Sequence, residues 1–233
     1  MSKTKQWLLW GGILVLIGVL FFYGLAAILT RQALLKAGTP VYEYQTSAST
    51  HEGYLRQTLT ISGITYISDY EEYGLTSAGN DFTVGKTSTG LQIIGVAGQN
   101  DYVVLYDFMS PIAVFRNQDA PSFDWHAINF NEMRLFPMIG PNTQMPDAPI
   151  VSTDKTLIAA ALSPLRDSST TPISPEQVQL AHTYFLNLYS DQLTGMWYIM
   201  GVYVSTDGKI YMAENTLSKE WFPASETFAE WVQ

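Results

Sequence analysis

Residues that could do chemistry are few in this sequence, and they are scattered. There is no cysteine, which excludes a thiolate nucleophile, a cysteine-ligated zinc site and a disulfide framework. The histidines, His51, His126 and His182, lie far apart, and none belongs to a His-x-x-x-His pair. Asp124-Trp-His126 could orient an imidazole, but one such pair does not make a metal site. We therefore predict no catalytic residue, no metal site and no cofactor.

Two short motifs resemble known catalytic or nucleotide-binding signatures and fail on spacing or context. Gly85-Lys86-Thr87 looks like the end of a P-loop, but Asn80 occupies the position where that loop needs its first glycine. Ser152 and Lys155 match Ser-x-x-Lys, yet the partner motifs of the penicillin-binding proteins are missing. That serine also stands where a helix is predicted to start, and capping is the ordinary use of a serine there.

Carboxylates and aromatic residues leave two alternatives open. Glu71-Glu72, or Asp119 with Asp124, could form the paired carboxylates of an envelope hydrolase, but a sequence does not give their separation. The 14 tyrosines and 6 tryptophans could stack on a sugar or another small ligand. They also fill the cores of small sheets, and their spread along every predicted strand favours that use.

The best place to look for a binding surface is the proline-rich region, residues 118–151. Its prolines deny it long regular elements, and long ordered loops are uncommon and can be functional. The alternative is a loop that only covers a sheet. The candidate surface consists of Trp125, His126, Phe130 and Phe136. The leading hypothesis is a non-enzymatic module that binds an envelope protein, a peptide or another envelope component through this region or a sheet edge.

Residues 41–117 are predicted to be β-rich, because short apolar runs alternate there with glycines and small polar residues. Asp207-Gly208 between two apolar runs is a strong signal for a second set of strands. Two hairpins are predicted, residues 91–97 with 102–108 and residues 197–204 with 209–213.

Within the domain that follows residue 40, helices are predicted in residues 152–233. The first covers residues 153–162 and is expected to end at Ser163-Pro164. The last covers residues 225–232, with Ser225 as its cap and Phe228 pointing inward.

A further helix is predicted to start at Ser174, where Pro175 and Gln177 complete a capping box. Apolar residues come after it at helical spacing and predict a face packed on a sheet: Val178, Ala181, Phe185 and Leu188. Strands followed by helices and a hairpin indicate an α+β fold. The expected architecture is an N-terminal transmembrane helix and one antiparallel-sheet domain with two or three packed helices.

Residues 7–29 contain no charge and no proline. As a helix they would span about 35 Å, enough for the hydrocarbon core of a bilayer. We therefore predict a cytoplasmic tail at 1–6, a transmembrane helix at 7–29, a stalk at 30–40 and an extracytoplasmic domain at 41–233. A cleavable signal peptide is the alternative, since Gly24-Leu-Ala26 offers a passable cleavage site.

Charge is unevenly distributed. Four basic residues and no acid precede residue 37, whereas the remainder holds 8 basic and 21 acidic residues and carries −13. A domain of that sign repels phosphate backbones, which disfavours nucleic-acid binding. Basic residues flank residues 7–29 on both sides, so charge barely sets the orientation. We expect a single-pass protein of the cell membrane with its N-terminus inside and its domain outside; its oligomeric state stays open.

Residues 59–117 resemble a small β module found in membrane-anchored or secreted proteins of Firmicutes. The resemblance is carried by Ile61-Ser-Gly-Ile-Thr-Tyr66, Tyr73-Gly74, Val84-Gly85-Lys86, Ile93-Ile-Gly-Val96 and Ile112-Ala-Val-Phe115. It implies a Gram-positive cell-surface setting. Those proteins are mostly of unknown function, so the resemblance implies no catalytic residue.

Overall fold

Strands dominate the structure of this chain. The computed structural model describes residues 39–51, 53–77, 82–107, 110–138 and 149–233. Strands account for 48% and helical segments for 18%, so the fold is mostly β and the predicted α+β class is wrong. The described ranges contain two α-helices, α1 (Lys155–Arg166) and α2 (Glu226–Val232), which contact each other.

The first half of the described chain forms a closed barrel. This half contains eight strands, of which all but β4 belong to the barrel. They are β1 (Val41–Ala48), β2 (Leu55–Ile61), β3 (Ile64–Ser68), β4 (Leu75–Ser77), β5 (Thr83–Thr87), β6 (Gln92–Val96), β7 (Gln99–Asp107) and β8 (Ser110–Asn117). The order around the barrel is β1-β2-β3-β8-β7-β6-β5. β4 does not belong to the barrel; it pairs with a strand of the second sheet.

The second sheet is built from the C-terminal half. Its strands are β9 (Glu132–Pro137), β10 (Ile150–Ser152), β11 (Leu180–Tyr189), β12 (Met196–Ser205), β13 (Ile210–Ala213) and β14 (Phe222–Pro223). They lie in the order β10-β9-β11-β12-β13-β14, and β4 pairs antiparallel with the start of β12. The described strands of both sheets pair antiparallel, so the sequence prediction of antiparallel pairing is confirmed.

Turn chemistry sets the register of the hairpin formed by β2 and β3. Ser62 and Gly63, between β2 and β3, both have positive φ, at 50° and 86°. Two consecutive positive φ values define the type I′ turn, whose twist matches that of the strands it joins. The turn places Leu59 opposite Tyr66, and both side chains point into the barrel.

Alternation along the strands fills the barrel and leaves its outside apolar. The interior consists of Leu59, Ile61, Tyr66, Ile93, Val103, Leu105 and Phe115. Successive side chains of a strand point to opposite faces, so Val104 and Val114 face outward. Both are buried, because the barrel wall at β7 and β8 packs against the second sheet. The run Val103-Val-Leu105 therefore serves two cores.

The larger core lies between the second sheet, the two helices and the outside of the barrel. Its fully buried members include Met133, Leu135, Leu186, Leu188, Met200, Met212, Ile158, Leu162, Phe228, Val104 and Val114. Burial of this much apolar side chain holds α1 against the sheet, which fixes the position of the face that α1 turns toward solvent.

The helix predicted from Ser174 is a strand. The capping box is present, because Ser174 N donates to Gln177 Oε1, but it caps only a 3-10 turn at Pro175–Gln177. The chain then enters β11, which pairs with β9 on one side and β12 on the other. Leu186 and Leu188 point into the core at a period of two. The segment forms a strand because pairing and burial between β9 and β12 outweigh the helical spacing of its apolar residues.

Several local predictions are confirmed. The hairpin of β6 and β7 and the hairpin of β12 and β13 both form, the latter with Gly208 at φ 82°. Ser225 caps α2 by accepting from Phe228 N. The first predicted helix exists as α1, but it continues through Pro164 to Arg166 instead of ending at Ser163-Pro164.

The prediction of a single-pass, signal-anchored membrane protein is corrected by the structure. No helix in the described part of the chain has the length and apolar character needed to cross a bilayer. The segment on which the prediction rested, residues 7–29, lies outside the described residues, as do the tail at 1–6 and most of the stalk.

Gly74 has no room for a side chain, because a Cβ there would overlap the ring of Tyr198. Tyr198 is 1% exposed and cannot move aside. We expect Gly74→Ala to lower the free energy of unfolding by about 1–3 kcal/mol, measured by urea denaturation. In the control, Gly95→Ala, the new Cβ would meet Phe82, which is 63% exposed and free to rotate away. Equal losses in the two variants would contradict this explanation.

Candidate functional site

A surface groove of about 590 Å³ lies alongside α1, and we name it the α1 groove. Its opposite wall is formed by residues 128–131, which lead into β9, and by residues 190–192, which connect β11 to β12. The residues that line it are Ile128, Asn129, Phe130, Asn131, Lys155, Ile158, Ala159, Leu162, Arg166, Ser190, Asp191 and Gln192. A concave site with an apolar floor and a few polar groups is the usual form of a binding site.

One face of α1 supplies the helical wall. Its lining residues recur at three- and four-residue spacing, so they lie along a single face of the helix: Lys155, Ile158, Ala159, Leu162 and Arg166. The helix starts at Asp154, whose side chain accepts a 2.8 Å hydrogen bond from Thr156 N. Ile158 and Leu162 are almost fully buried and form an apolar floor between the two cations.

The opposite wall is held by a set of hydrogen bonds. Asn131 N donates to Tyr189 O at 2.9 Å, and Ser190 Oγ donates to Asn129 O at 2.7 Å. Asn129 N donates to Gln192 Oε1 at 2.8 Å. The backbone of this wall is therefore tied to the end of β11, so the groove is preformed.

Arg166 is positioned by three neighbours. Its Nη2 donates to Ile128 O at 3.2 Å, and its guanidinium carbon lies 5.6 Å from the centre of the Trp125 ring. Partial burial lowers the pKa of the Arg166 guanidinium below its usual value, while Asp124 opposes the shift. The group stays charged at neutral pH. It is thus a cation held at one end of the groove.

Lys155 stands at the other end. It is exposed and is the first residue of α1, where the positive end of the helix dipole makes a cation unfavourable and an anion favourable. Among the residues that the structure describes, no carboxylate lies within ion-pair distance of either Lys155 or Arg166. Asp191 is the one acidic residue that lines the groove in these described ranges.

Trp125 lies behind the groove and is 4% exposed. Its Nε1 donates to Glu214 Oε1 at 2.5 Å, and its ring is 3.8 Å from that of His126 and 5.9 Å from that of Tyr198. Glu214 also accepts from the Tyr70 hydroxyl at 2.5 Å. The Trp125 ring is therefore fixed from several sides, and it in turn supports Arg166.

The candidate residues predicted from the sequence divide into three groups. Phe130 lines the α1 groove, whereas Trp125 supports it from behind and His126 lies exposed on the Trp125 ring. Phe136 is not near the groove; it lies on β9 opposite Phe185, on the other side of the sheet. The proline-rich region thus contributes one wall, through residues 128–131.

The residues of α1 are not predicted as a site by any sequence motif. Lys155 enters only as part of a Ser-x-x-Lys match, and Arg166 belongs to no motif. Their spacing of eleven residues, three helical turns, places them on one face, and that signal is present in the sequence. Only the packing of α1 beside residues 128–131 makes the face a groove.

Two of the four carboxylates of the hydrolase alternative, Glu72 and Asp124, are engaged in the fold. Glu72 accepts from Arg116 Nε at 2.8 Å and from Asp69 N at 3.0 Å, and its side chain is fully buried. Burial raises the pKa of Glu72, although Arg116 opposes the shift. Asp124 caps the turn at Trp125–Ala127 by accepting from His126 N. These contacts give both side chains structural roles.

The aromatic residues of the sugar-binding alternative pack mainly on one another. Tyr54 meets Tyr70 and Tyr73 edge to face, with ring centroids 4.7 Å and 4.8 Å apart. Tyr70 is stacked on His51 at 4.2 Å. A sugar platform needs exposed rings in one plane, and the near-perpendicular rings of this cluster do not provide one.

Burial raises the pKa of eight tyrosines: Tyr44, Tyr54, Tyr66, Tyr70, Tyr102, Tyr106, Tyr198 and Tyr203. The unfolded chain releases phenolic protons near pH 10, whereas the folded chain retains them. The stabilisation that comes from keeping these phenols protonated is therefore fully present below about pH 10 and is lost as the pH rises above it.

We expect the urea midpoint to fall steeply between about pH 10 and pH 12, in step with phenolate absorbance. Tyr198→Phe removes one buried phenol and should make the fall less steep. A midpoint that stays constant across this range would show that the phenols do not titrate on unfolding.

No family model, curated protein or solved structure matches this chain. The resemblance of residues 59–117 to a Firmicutes β module stays a prediction. Among the described residues, no group of three or more His, Asp or Glu side chains is placed to hold a metal ion. The α1 groove is therefore the feature of the described residues that bears most directly on function.

Proposed function

We propose that this chain is a non-enzymatic binding module that holds a segment of a partner protein or peptide in the α1 groove. The observation that carries the proposal is a preformed groove whose two cations, Lys155 and Arg166, have no carboxylate of the described part of the chain within ion-pair distance. A partner located outside the cytoplasm, at the cell envelope, stays a prediction.

The shape of the groove supports a chain-like ligand. It runs along α1 for about three helical turns, which is about 16 Å. Its floor is apolar and consists of Ile158, Leu162 and Phe130, whose side chains are almost fully buried, while Ala159 on the helical wall is exposed. A long, open groove with a central apolar floor and polar ends suits an extended segment better than a compact small molecule.

The contacts around the groove support binding over catalysis. Ser190 Oγ donates to Asn129 O and accepts from Gln192 N, so its hydroxyl is occupied by the wall. Arg166 is held by a carbonyl and an aromatic ring, and neither is a general base. The polar groups of the groove are thus arranged to orient a ligand.

Selection from a random peptide display library on the full-length protein tests the proposal. Ala159 is exposed in the middle of the groove, so Ala159→Trp should fill it and abolish binding of the selected peptides. Thr156 is exposed on the same helix and does not line the groove, so Thr156→Trp is the matched control. Peptides that bind both variants as well as the original protein, or failure to select any peptide, would refute the proposal.

A further inference from the structure

The two ends of the α1 groove carry charge of the same sign. Lys155 is the first residue of α1 and Arg166 the last, and between them lies an apolar floor. Eleven residues of helix separate the two backbone positions by about 16 Å. A ligand that satisfies both cations must therefore present two negative groups at a comparable separation.

Two of the domain's cations lie in the α1 groove with no carboxylate of the described residues within ion-pair distance. Beyond residue 36 there are 8 basic and 21 acidic residues, so acids are in excess. Within the described ranges, four of the eight cations form ion pairs: Arg56, Arg116, Arg134 and Lys209. Two of the other four lie in the α1 groove. Asp191 also lines the groove, so two cations and one acid give its lining a net charge of +1. In a domain of net charge −13, a positive site favours an anionic ligand.

Arg166 is prepared for such a ligand. One of its nitrogens donates to Ile128 O, and its guanidinium carbon lies 5.6 Å from the centre of the Trp125 ring. The remaining N–H groups keep the fork geometry that matches a carboxylate. Lys155 is exposed and has a long, rotatable side chain, so it can follow a carboxylate over several ångströms.

We propose that the occupant of the α1 groove is an extended peptide segment with two acidic residues four positions apart and an apolar residue midway between them. This inference rests on the proposed function. An extended chain rises about 3.3 Å per residue, so four residues span about 13 Å, and the lysine side chain covers the difference. The side-chain period of two puts the acidic and apolar residues on the same face of the segment.

Fluorescence anisotropy with the full-length protein tests the pattern. The probe is a labelled synthetic peptide with the order acid-x-apolar-x-acid, and the comparison is a peptide of the same composition with the two acids adjacent. The first should bind and the second should bind markedly more weakly. Affinity for the first should fall as salt is raised, because the ion pairs are solvent-exposed.

Two lysine variants separate a specific contact from general charge. Lys155→Gln should weaken binding of the patterned peptide about three- to fivefold, the upper end for an exposed ion pair. Lys219 is exposed and lies outside the groove, so Lys219→Gln makes the same change in net charge and should leave the Kd unchanged. Equal binding of both peptides, or equal weakening by both variants, would overturn the inference.

The two proposals fail in different ways. If display selects peptides that need an open groove but carry no acids, the binding function stands and the acidic ligand is refuted. If no peptide depends on the groove, both are refuted. Binding of the patterned peptide that Ala159→Trp does not affect would place the acidic site elsewhere and overturn the inference.

Discussion

Arg116→Met is expected to lower the free energy of unfolding by about 3–5 kcal/mol. Arg116 and Glu72 form a salt bridge of 2.8 Å, with side chains 5% and 0% exposed. Removing the arginine leaves a carboxylate buried without its counter-charge, and the carbonyls of Asn117 and Ala120 lose a donor. Equilibrium urea denaturation at neutral pH measures the loss.

The pH dependence of this loss identifies its cause. Burial raises the pKa of Glu72 above its ordinary value of 4.5, so the folded chain takes up this proton more readily than the unfolded chain. The stabilisation that a protonated Glu72 gives the folded chain is present below pH 4.5 and is lost as the pH rises through the raised pKa of the folded state. The deficit of Arg116→Met should therefore shrink as the pH is lowered from about 7 toward about 5.

Two further variants act as controls for this pair. Glu72→Leu combined with Arg116→Met replaces both charges by apolar groups and should recover most of the stability. Lys209 forms an ion pair with Asp207 in which both side chains are mostly exposed, so Lys209→Met should change stability far less. A double variant as unstable as Arg116→Met would show that the loss comes from packing and not from the unpaired charge.

Phe228→Ala is the second large effect, with an expected loss of about 3–5 kcal/mol in the free energy of unfolding. Phe228 is fully buried in the larger core and is the residue that fixes α2. Since α2 contacts α1, and Ser225 Oγ donates to Ala160 O at 2.7 Å, a cavity beneath α2 also loosens α1. Binding at the α1 groove should weaken together with stability.

Thr227→Ala on the same helix is the matched control, because Thr227 is exposed and the change should stay within about 0.5 kcal/mol. Urea denaturation gives the stability, and anisotropy with the groove-binding peptide gives the affinity. Unchanged affinity at a temperature where Phe228→Ala is still folded would show that α2 does not position the groove.

Local signals in this sequence specify turns and caps well. Asp207-Gly208 and Ser225 are where a hairpin and a helix cap were predicted, because a positive φ or an N-cap depends on one or two neighbouring residues. The capping box at Ser174 is also real. It did not determine the structure of residues 180–189, since a cap satisfies the first turn and leaves the rest of the segment to tertiary packing.

Contacts between distant parts of the chain determine the elements that the local sequence does not predict. β11 carries a helical pattern of apolar residues, yet it lies in the middle of a sheet and is paired on both sides. Closure of the barrel depends on β1 reaching β5, and β4 leaves the barrel to join β12. Such long-range pairing has no local signal in the sequence. The same holds for the α1 groove, whose walls come from segments well separated in the chain.

β7 and β8 contribute side chains to both cores, and this determines how the domain unfolds. Side chains on one surface of these strands fill the barrel, and those on the other surface fill the space under the second sheet. β4 also joins the two halves, because it follows the barrel strand β3 in the chain and pairs with β12 of the second sheet. Melting either half exposes apolar side chains of the other, so we expect denaturation to be a single cooperative transition. We also expect that the two fragments made by a cut in the linker after β8 do not fold separately.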